Sequence, residues 1–278
     1  MEAPFRSDIQ ISFVVWNEMP PGTSRGCACH YGTVTDTRTV AVIQARMGSS
    51  RLPGKVLRPL GGRPVLGWMV RAARSATGVD EVVVATSTDP GDDPVAALGE
   101  ELGVPVVRGS EDDVLSRFVL ALESTEADAV VRLTADCPLA DPALIDSVIG
   151  LWRSDPSLDY TATTLVRTLP RGLDVELASR EALLTAHEEA ESFHRTHVTS
   201  YLYDSKRQFR TMGLVVQPAA NDLRVTLDTV EDGEMLDAVV AELGDRPPAW
   251  HEVVDLLRAR PDLRSINAAV RQKKLADG

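Results

Sequence analysis

From Val40 onward, short apolar runs alternate with amphipathic stretches. Val40–Gln44 is apolar, has strand length and ends at a polar loop, the pattern of a strand buried on both faces. Gly61-Gly62 makes a turn, and Pro64 opens a helix to about Ala76, with Val65, Met69 and Ala72 on one face. Glu81–Thr86 carries three successive valines and reads as a second buried strand. The same rhythm predicts a helix over Asp92–Leu102, a strand over Val104–Val107 and a helix over Asp112–Glu123. A strand over Asp128–Thr134 and a helix over Pro142–Trp152 follow. Strands alternating with helices imply a mostly parallel sheet covered on both faces, an α/β fold.

Beyond Asp155 the rhythm changes. Strands are expected at Asp159–Thr164, Asp174–Leu177, Phe209–Val216 and Leu223–Leu227. Helices are expected at Arg180–Glu191, Thr196–Tyr203, Val230–Leu243 and Trp250–Arg258. With no internal repeat and no low-complexity linker, this half reads as a small lobe, about 157–218, inserted in one domain spanning 39–268. Residues 269–278 read as a tail.

The first 38 residues differ, being rich in Pro, Gly, Ser and Thr and lacking sustained periodicity. Ile9–Trp16 is apolar, but no basic segment precedes it, so a secretory signal is not expected. A disordered extension or an over-long gene start is the expectation. Cys27-Ala-Cys29-His30 does not have the spacing of a zinc pair, and no second pair follows.

Composition narrows the function. At 278 residues and 44% hydrophobic, the chain can bury a sizeable core. With 29 basic against 41 acidic residues it carries a formal charge of −12, which argues against general nucleic-acid binding. No apolar run approaches the roughly 18 residues of a membrane span. Three cysteines suit the cytoplasm better than a disulfide scaffold.

Against that acidic background, Thr39–Val79 contains seven Arg or Lys and no Asp or Glu. Within it lies Gln44-Ala-Arg-Met-Gly-Ser-Ser-Arg-Leu-Pro-Gly-Lys55, a loop between the first strand and the turn before a helix. Ligands of open α/β sheets sit at the carboxyl ends of strands. Gly48, Ser49, Ser50 and Gly54 let backbone N–H groups approach phosphate oxygens, while Arg46, Arg51 and Lys55 supply charge. The alternative is a solvated basic face. The loop is not a Walker A motif: five residues separate Gly48 from Gly54, and Val56 stands where a magnesium-binding Ser or Thr belongs. It is not GxGxxG either, which disfavours a nicotinamide dehydrogenase.

Two acidic motifs follow strands. In Arg132-Leu-Thr-Ala-Asp-Cys-Pro-Leu-Ala-Asp141, Asp136 lies just past a buried strand with no helix directly after it, placed to meet a metal. Asp141 before Pro142 reads as a helix N-cap, and Cys137 as a small buried residue. In Arg224-Val-Thr-Leu-Asp-Thr-Val-Glu-Asp232, Asp228 is either a second metal carboxylate or the cap of the helix at Val230, and Thr229 could also be that cap. Spacing leaves the choice open.

These motifs together resemble the spore-coat polysaccharide biosynthesis cytidylyltransferases, relatives of the KDO and acylneuraminate cytidylyltransferases. The resemblance runs through Val42–Leu60, Val83-Val-Ala-Thr-Ser-Thr-Asp89, Arg108-Gly-Ser-Glu-Asp-Asp-Val-Leu115, Arg132–Pro142, Gly172-Leu-Asp-Val-Glu176, His197-Val-Thr and Arg224–Asp232. One departure is Ala135, where the resemblance leads one to expect glycine. It implies a GT-A-like nucleotidyltransferase fold, with CTP bound by Arg46, Arg51 and Lys55 and Mg²⁺ held by Asp136 and Asp228. Ser49 belongs to the same loop, Ser110, Asp113 and Arg117 are expected near the base or ribose, and Thr134 beside the nucleotide.

On the acceptor side, Asp174 and Glu176 alternate on an expected strand and so share a face. His194, Arg195 and His197 cluster before a helix, where Arg195 could pair with an acceptor carboxylate or phosphate; capping and solvation are the alternative for the histidines. The expected reaction moves CMP from CTP onto a sugar acid, sugar or related small anion, in the cytoplasm, by a chain that the family suggests as a homodimer. Two rivals stand beside it. A GT-A glycosyltransferase would use an Asp-X-Asp metal pair, which Asp136 lacks. A non-catalytic nucleotide-binding protein would not need Arg46, Lys55, Asp136 and Asp228 all intact.

Overall fold

The computed structural model describes residues 10–16, 37–204, 206 and 208–272. Cys27, Cys29 and His30 lie outside these residues. The strands in chain order are β1 (Gln10–Trp16), β2 (Thr39–Gln44), β3 (Pro59–Leu60), β4 (Arg63–Pro64), β5 (Glu81–Ser87), β6 (Val106–Gly109), β7 (Ala129–Thr134), β8 (Tyr160–Ala162), β9 (Glu176–Ser179) and β10 (Thr211–Gln217). The helices are α1 (Val65–Ser75), α2 (Asp93–Glu101), α3 (Val114–Thr125), α4 (Pro142–Ser154), α5 (Arg180–Glu189), α6 (Phe193–Thr196), α7 (Val230–Leu243), α8 (Trp250–Ala259) and α9 (Pro261–Ile266). β3 and β4 form a small hairpin. The other eight strands make one sheet in the order β1-β10-β8-β9-β7-β2-β5-β6.

The sheet is mostly parallel. β7, β2, β5 and β6 run parallel, as do β8 and β10, while β9 and β1 are antiparallel to their neighbours. β2 lies at the centre of the parallel part, and its side chains serve two cores. Ala41 and Ile43 join a cluster with Leu66, Met69, Ile145, Leu236 and Val253 from α1, α4, α7 and α8. Val40 and Val42 join another with Leu115, Phe118 and Leu122 from α3, together with residues of α5. Alternate residues point to opposite faces of a strand, and both faces here are dry, which is why the sequence shows a continuous apolar run rather than alternation.

Three expectations change. Gln10–Trp16 is a strand, paired antiparallel with β10 over its whole length, so the first 38 residues are not wholly an unstructured extension. The pairing covers what would otherwise be the open edge of β10. No strand forms over Leu223–Leu227; its β-pairing is an isolated parallel bridge, Arg171 to Arg224, outside the named strands. No helix forms over Thr196–Tyr203 either. α6 stops at Thr196, and Val198 adopts a φ of 47°, which an α-helix does not accommodate. The segment 157–218 contributes β8, β9 and β10 to the same sheet, so it extends the main body rather than standing apart. Beyond α8, α9 and the following turn were not anticipated by the periodicity.

Candidate active site

The loop after β2 is closed on itself. The Gly54 N–H donates to the Met47 carbonyl at 3.0 Å, and the Met47 N–H is held by the buried Asp92 carboxylate at 2.6 Å. Gly54 has a φ of 68°, the left-handed region that favours glycine, and from it a short 3-10 turn at Lys55–Leu57 launches Lys55 inward. Asp136 arrives from the neighbouring strand. The Ala135 N–H still donates to the Gln44 carbonyl at 3.0 Å, continuing the β7–β2 ladder, and the chain then turns. Ala135 is not among the residues with positive φ, so the turn does not require the glycine the resemblance suggested.

Asp228 is brought to Asp136 by backbone. The Leu227 N–H donates to the Asp136 carbonyl at 2.8 Å, and the Thr226 hydroxyl to the same oxygen at 3.2 Å. Gly172 makes room for this segment: a side-chain carbon there would stand 2.6 Å from the backbone of Val225 and Thr226. The capping half of the choice left open by spacing is answered at α7. Its cap is Thr229, whose side chain accepts from the Asp232 N–H while Asp232 reaches back to the Thr229 N–H. Asp228 is thereby released from capping.

The Lys55 ammonium bridges the two carboxylates, 2.6 Å from Asp136 Oδ2 and 2.7 Å from Asp228 Oδ1. The other oxygen of Asp228 forms an ion pair with Arg51 at 2.8 Å and accepts from Arg224 at 2.6 Å. Burial works to raise the Asp228 carboxyl's pKa, but Lys55, Arg224 and Arg51 outweigh it and bring it down to about 2. Burial likewise works to lower the Lys55 ammonium, and the two carboxylates override it and raise it. Burial, with Asp136 and Asp174 nearby, holds the Cys137 thiol well above its ordinary value, so it stays protonated and is no nucleophile.

These groups line a cavity of about 340 Å³ whose wall includes Arg46, Gly48, Ser49, Arg51, Lys55, Thr134, Asp136, His197, Asp228 and Gln272. The basic loop, both carboxylates, Thr134 and His197, singled out separately in the sequence, therefore meet in one place. Two oxygens from different segments converge on one cationic position, and the donor set is purely carboxylate. That chemistry fits a hard cation such as Mg²⁺, which takes one or two protein carboxylates and completes its shell with phosphate oxygens and water. Among the described residues no group of three or more His, Cys, Asp or Glu converges, so phosphate and water would have to supply the remainder.

Other expected ligands lie elsewhere. Glu176 is buried at 6% exposure in a polar cluster, paired with Arg132 and accepting from Tyr160 at 2.5 Å and Thr199 at 2.8 Å. Its contacts are those of a structural ion, and it does not line the cavity. Asp174 precedes β9 and is gripped by both terminal nitrogens of Arg167, at 2.6 and 2.9 Å. Arg195, expected to face an acceptor, donates to Asp113 at 2.5 and 2.9 Å and to the carbonyls of His187 and Ala190. Asp113 also caps α3, and the Ser110 hydroxyl accepts from its N–H, so the three lock the approach to that helix. The Arg117 side chain is buried within α3 at 1% exposure and is not part of the cavity wall. Conversely, Arg224, Asp232 and Gln272 were missed as site residues. The i,i+4 spacing of Arg224 and Asp228 was a readable signal for the first.

Removing the Glu176 carboxylate would leave Arg132 charged and buried without its partner. Glu176→Ala is expected to destabilise the fold by about 3–5 kcal/mol, and Glu176→Gln by less, since the amide keeps hydrogen bonds. Urea unfolding checks this; a wild-type midpoint for the alanine variant would contradict the structural role. Burial works to raise the Glu176 pKa, but Arg132, Tyr160 and Thr199 bring it below the ordinary 4.5. The stabilisation is therefore present above the unfolded-state pKa and is lost as pH falls through the lower folded value.

A family model described as Cytidylyltransferase matches residues 40–252. The chain belongs to the cytidylyltransferase family. It is 36% identical over 230 residues to the spore coat polysaccharide biosynthesis protein SpsF of Bacillus subtilis (strain 168), covering 80% of this chain and 94% of that protein. It is 32% identical over 160 residues to the 3-deoxy-manno-octulosonate cytidylyltransferase of Bdellovibrio bacteriovorus, covering 57% of this chain and 62% of that protein. A solved cytidylyltransferase structure from Leptospira borgpetersenii superposes with a TM-score of 0.80 at 27% identity, covering 85% of this chain and all of that one. Membership of the cytidylyltransferases sets aside the glycosyltransferase and non-catalytic readings, and the fold is the nucleotidyltransferase fold.

Proposed function

We propose that the protein transfers CMP from CTP to a small anionic acceptor of the sugar-acid type, releasing pyrophosphate, with Mg²⁺ held by Asp136 and Asp228. The observation that carries this reading is the Lys55 ammonium clasped between two carboxylates in the wall of a pocket whose other side is the basic loop. Such a pocket presents cations to phosphate oxygens and keeps two carboxylate oxygens for a metal. The size of the cavity, about 340 Å³, falls in the range of small-molecule sites. The sugar-acid class is suggested by the names of the relatives.

In the reaction an acceptor oxygen forms a bond to the α-phosphorus. The bond from that phosphorus to the α–β bridging oxygen breaks in line, and its electron pair leaves with pyrophosphate. Arg46, Arg51 and Lys55 hold the triphosphate and offset charge that builds on the departing pyrophosphate. The metal, when bound, withdraws charge from phosphate oxygens and lowers the barrier to attack. An anionic acceptor needs no base. A hydroxyl acceptor must give up its proton. Asp228, with a pKa of about 2, is too weak a base for that task, whereas His197 in the pocket wall is suited to it. A supply of CTP makes the cytoplasm the compartment this reading requires. Among the described residues, no helix is long and apolar enough to cross a membrane.

The test pairs each of the four nucleoside triphosphates with sugar acids, sugar phosphates and phosphonates in the presence of Mg²⁺ and pyrophosphatase. Phosphate release is expected with CTP and one acceptor class, with a CMP-linked product by mass spectrometry. Release that is indifferent to the base, or absent with every acceptor class, would defeat the reading.

A further inference from the structure

The chain beyond α9 returns to the active site. Asn267, buried at 6% exposure, donates from Nδ2 to Asp232 Oδ1 at 2.9 Å and to the Arg224 carbonyl at 3.3 Å, fixing the start of a strap that runs to Gln272. The strap's far end meets both arginines that lean on Asp228. The Arg271 carbonyl accepts from Arg51 Nη1 at 3.2 Å, and Gln272 Oε1 accepts from Arg224 Nη1 at 2.5 Å. Each arginine thus holds the strap with one terminal nitrogen and Asp228 Oδ2 with the other. Arg224 is anchored further by Asp232, at 2.9 Å from Nε and 3.0 Å from Nη2. All three guanidinium nitrogens of Arg224 are therefore engaged, and Gln272, which lines the cavity, supplies the acceptor for Nη1.

We propose that Gln272 is a positioning residue of the CTP site: it fixes Arg224, and with the Arg271 carbonyl fixes Arg51, so that Asp228 keeps Oδ2 covered and Oδ1 turned toward the nucleotide side. The inference rests on the function proposed above. A carboxamide is chemically apt for the task. It accepts from a guanidinium without adding a negative charge where three phosphates must come, in a wall that already contains Asp136 and Asp228. The strap lies outside the stretch that matches the family model, residues 40–252.

The experiment uses the full chain with Mg²⁺ and CTP. Affinity is read by calorimetry, and KM and kcat by pyrophosphate release. Gln272→Ala removes the acceptor from a charged donor and is expected to weaken CTP binding and raise its KM by about 3- to 10-fold, with kcat and melting temperature nearly unchanged. Gln272→Glu keeps an oxygen acceptor for Arg224 but sets a negative charge where the triphosphate comes, and its CTP affinity is expected to fall further than the alanine variant's, with the melting temperature again nearly unchanged. The proposal is overturned if Gln272→Ala binds CTP as the wild type does, if its kcat falls while KM holds, or if Gln272→Glu binds CTP as tightly as the wild type. Failure of the wild type itself to bind or turn over CTP would instead overturn the functional reading, so the two failures are distinguishable.

Discussion

Replacing Lys55 with methionine is expected to reduce CTP turnover by about 10²–10³-fold, because one cation serves both carboxylates and then the triphosphate. The side chain is only 11% exposed and lies within 2.7 Å of both Asp136 and Asp228, so its loss leaves two like charges facing each other in a half-buried wall. Arg51 and Arg224 still neutralise Asp228, which limits the loss of stability to about 1–3 kcal/mol. Two readouts separate the roles. Pyrophosphate release reports the catalytic loss. Thermal melting with EDTA and then with Mg²⁺ reports the electrostatic one, and the added cation should raise the variant's melting temperature more than the wild type's. The pH dependence has a definite sign. The Asp228 carboxyl is held at about 2, below its ordinary value, so its contribution to stability is present above that ordinary value and disappears as pH falls through about 2. Without Lys55 its pKa rises and acid destabilisation begins at higher pH. Wild-type turnover and an unchanged response to Mg²⁺ would remove Lys55 from the centre of the site.

Asp136→Asn is the second large effect. Asparagine keeps the shape, and the backbone carbonyl that receives Leu227 and Thr226 is unaffected, so the fold should persist. What is lost is one of two charged oxygens at the cation position. Pyrophosphate release is expected to drop by about 10³-fold, and the Mg²⁺ concentration for half-maximal rate to rise. Undiminished release would sink the metal assignment. Asp228 is the more heavily neutralised of the pair, with two arginines besides the lysine, whereas Asp136 has Lys55 as its ion-pair partner among the described contacts.

Much of the centre of the fold was legible because its constraints are local. Buried parallel strands need unbroken apolar runs, and Val40–Gln44 and Glu81–Thr86 show them. Asp141 before Pro142 is a local cap signal, and the structure has Asp141 accepting from the Ala143 N–H at 2.8 Å. The basic loop was visible as a reversal of charge in an acidic chain. The misreadings share another cause. Leu223–Leu227 is as apolar as a strand, but it is buried by tying Asp136 to α7 rather than by joining the sheet. Glu176 and Arg195 look like ligands because charged residues in a motif attract that reading; their partners, Arg132 and Asp113, are distant in the chain and no spacing reveals them. Gln10–Trp16 escapes the periodicity because its surroundings are rich in turn-forming residues, and a strand paired along its length with β10 carries no local signature beyond apolarity. The strap at Asn267–Gln272 is polar and short, and its importance lies wholly in what it touches.

Those contacts have a bearing on how the molecule is made. Lys55 meets Asp136 across 81 residues and Asp228 across 173, and Arg51 meets the Arg271 carbonyl across 220. A ribosome working from the N-terminus therefore delivers the basic loop well before the second carboxylate and the strap. A nascent chain that has released every strand of the sheet but not Asp228 holds a basic loop without its second carboxylate, and the closed site waits for residues 228–272.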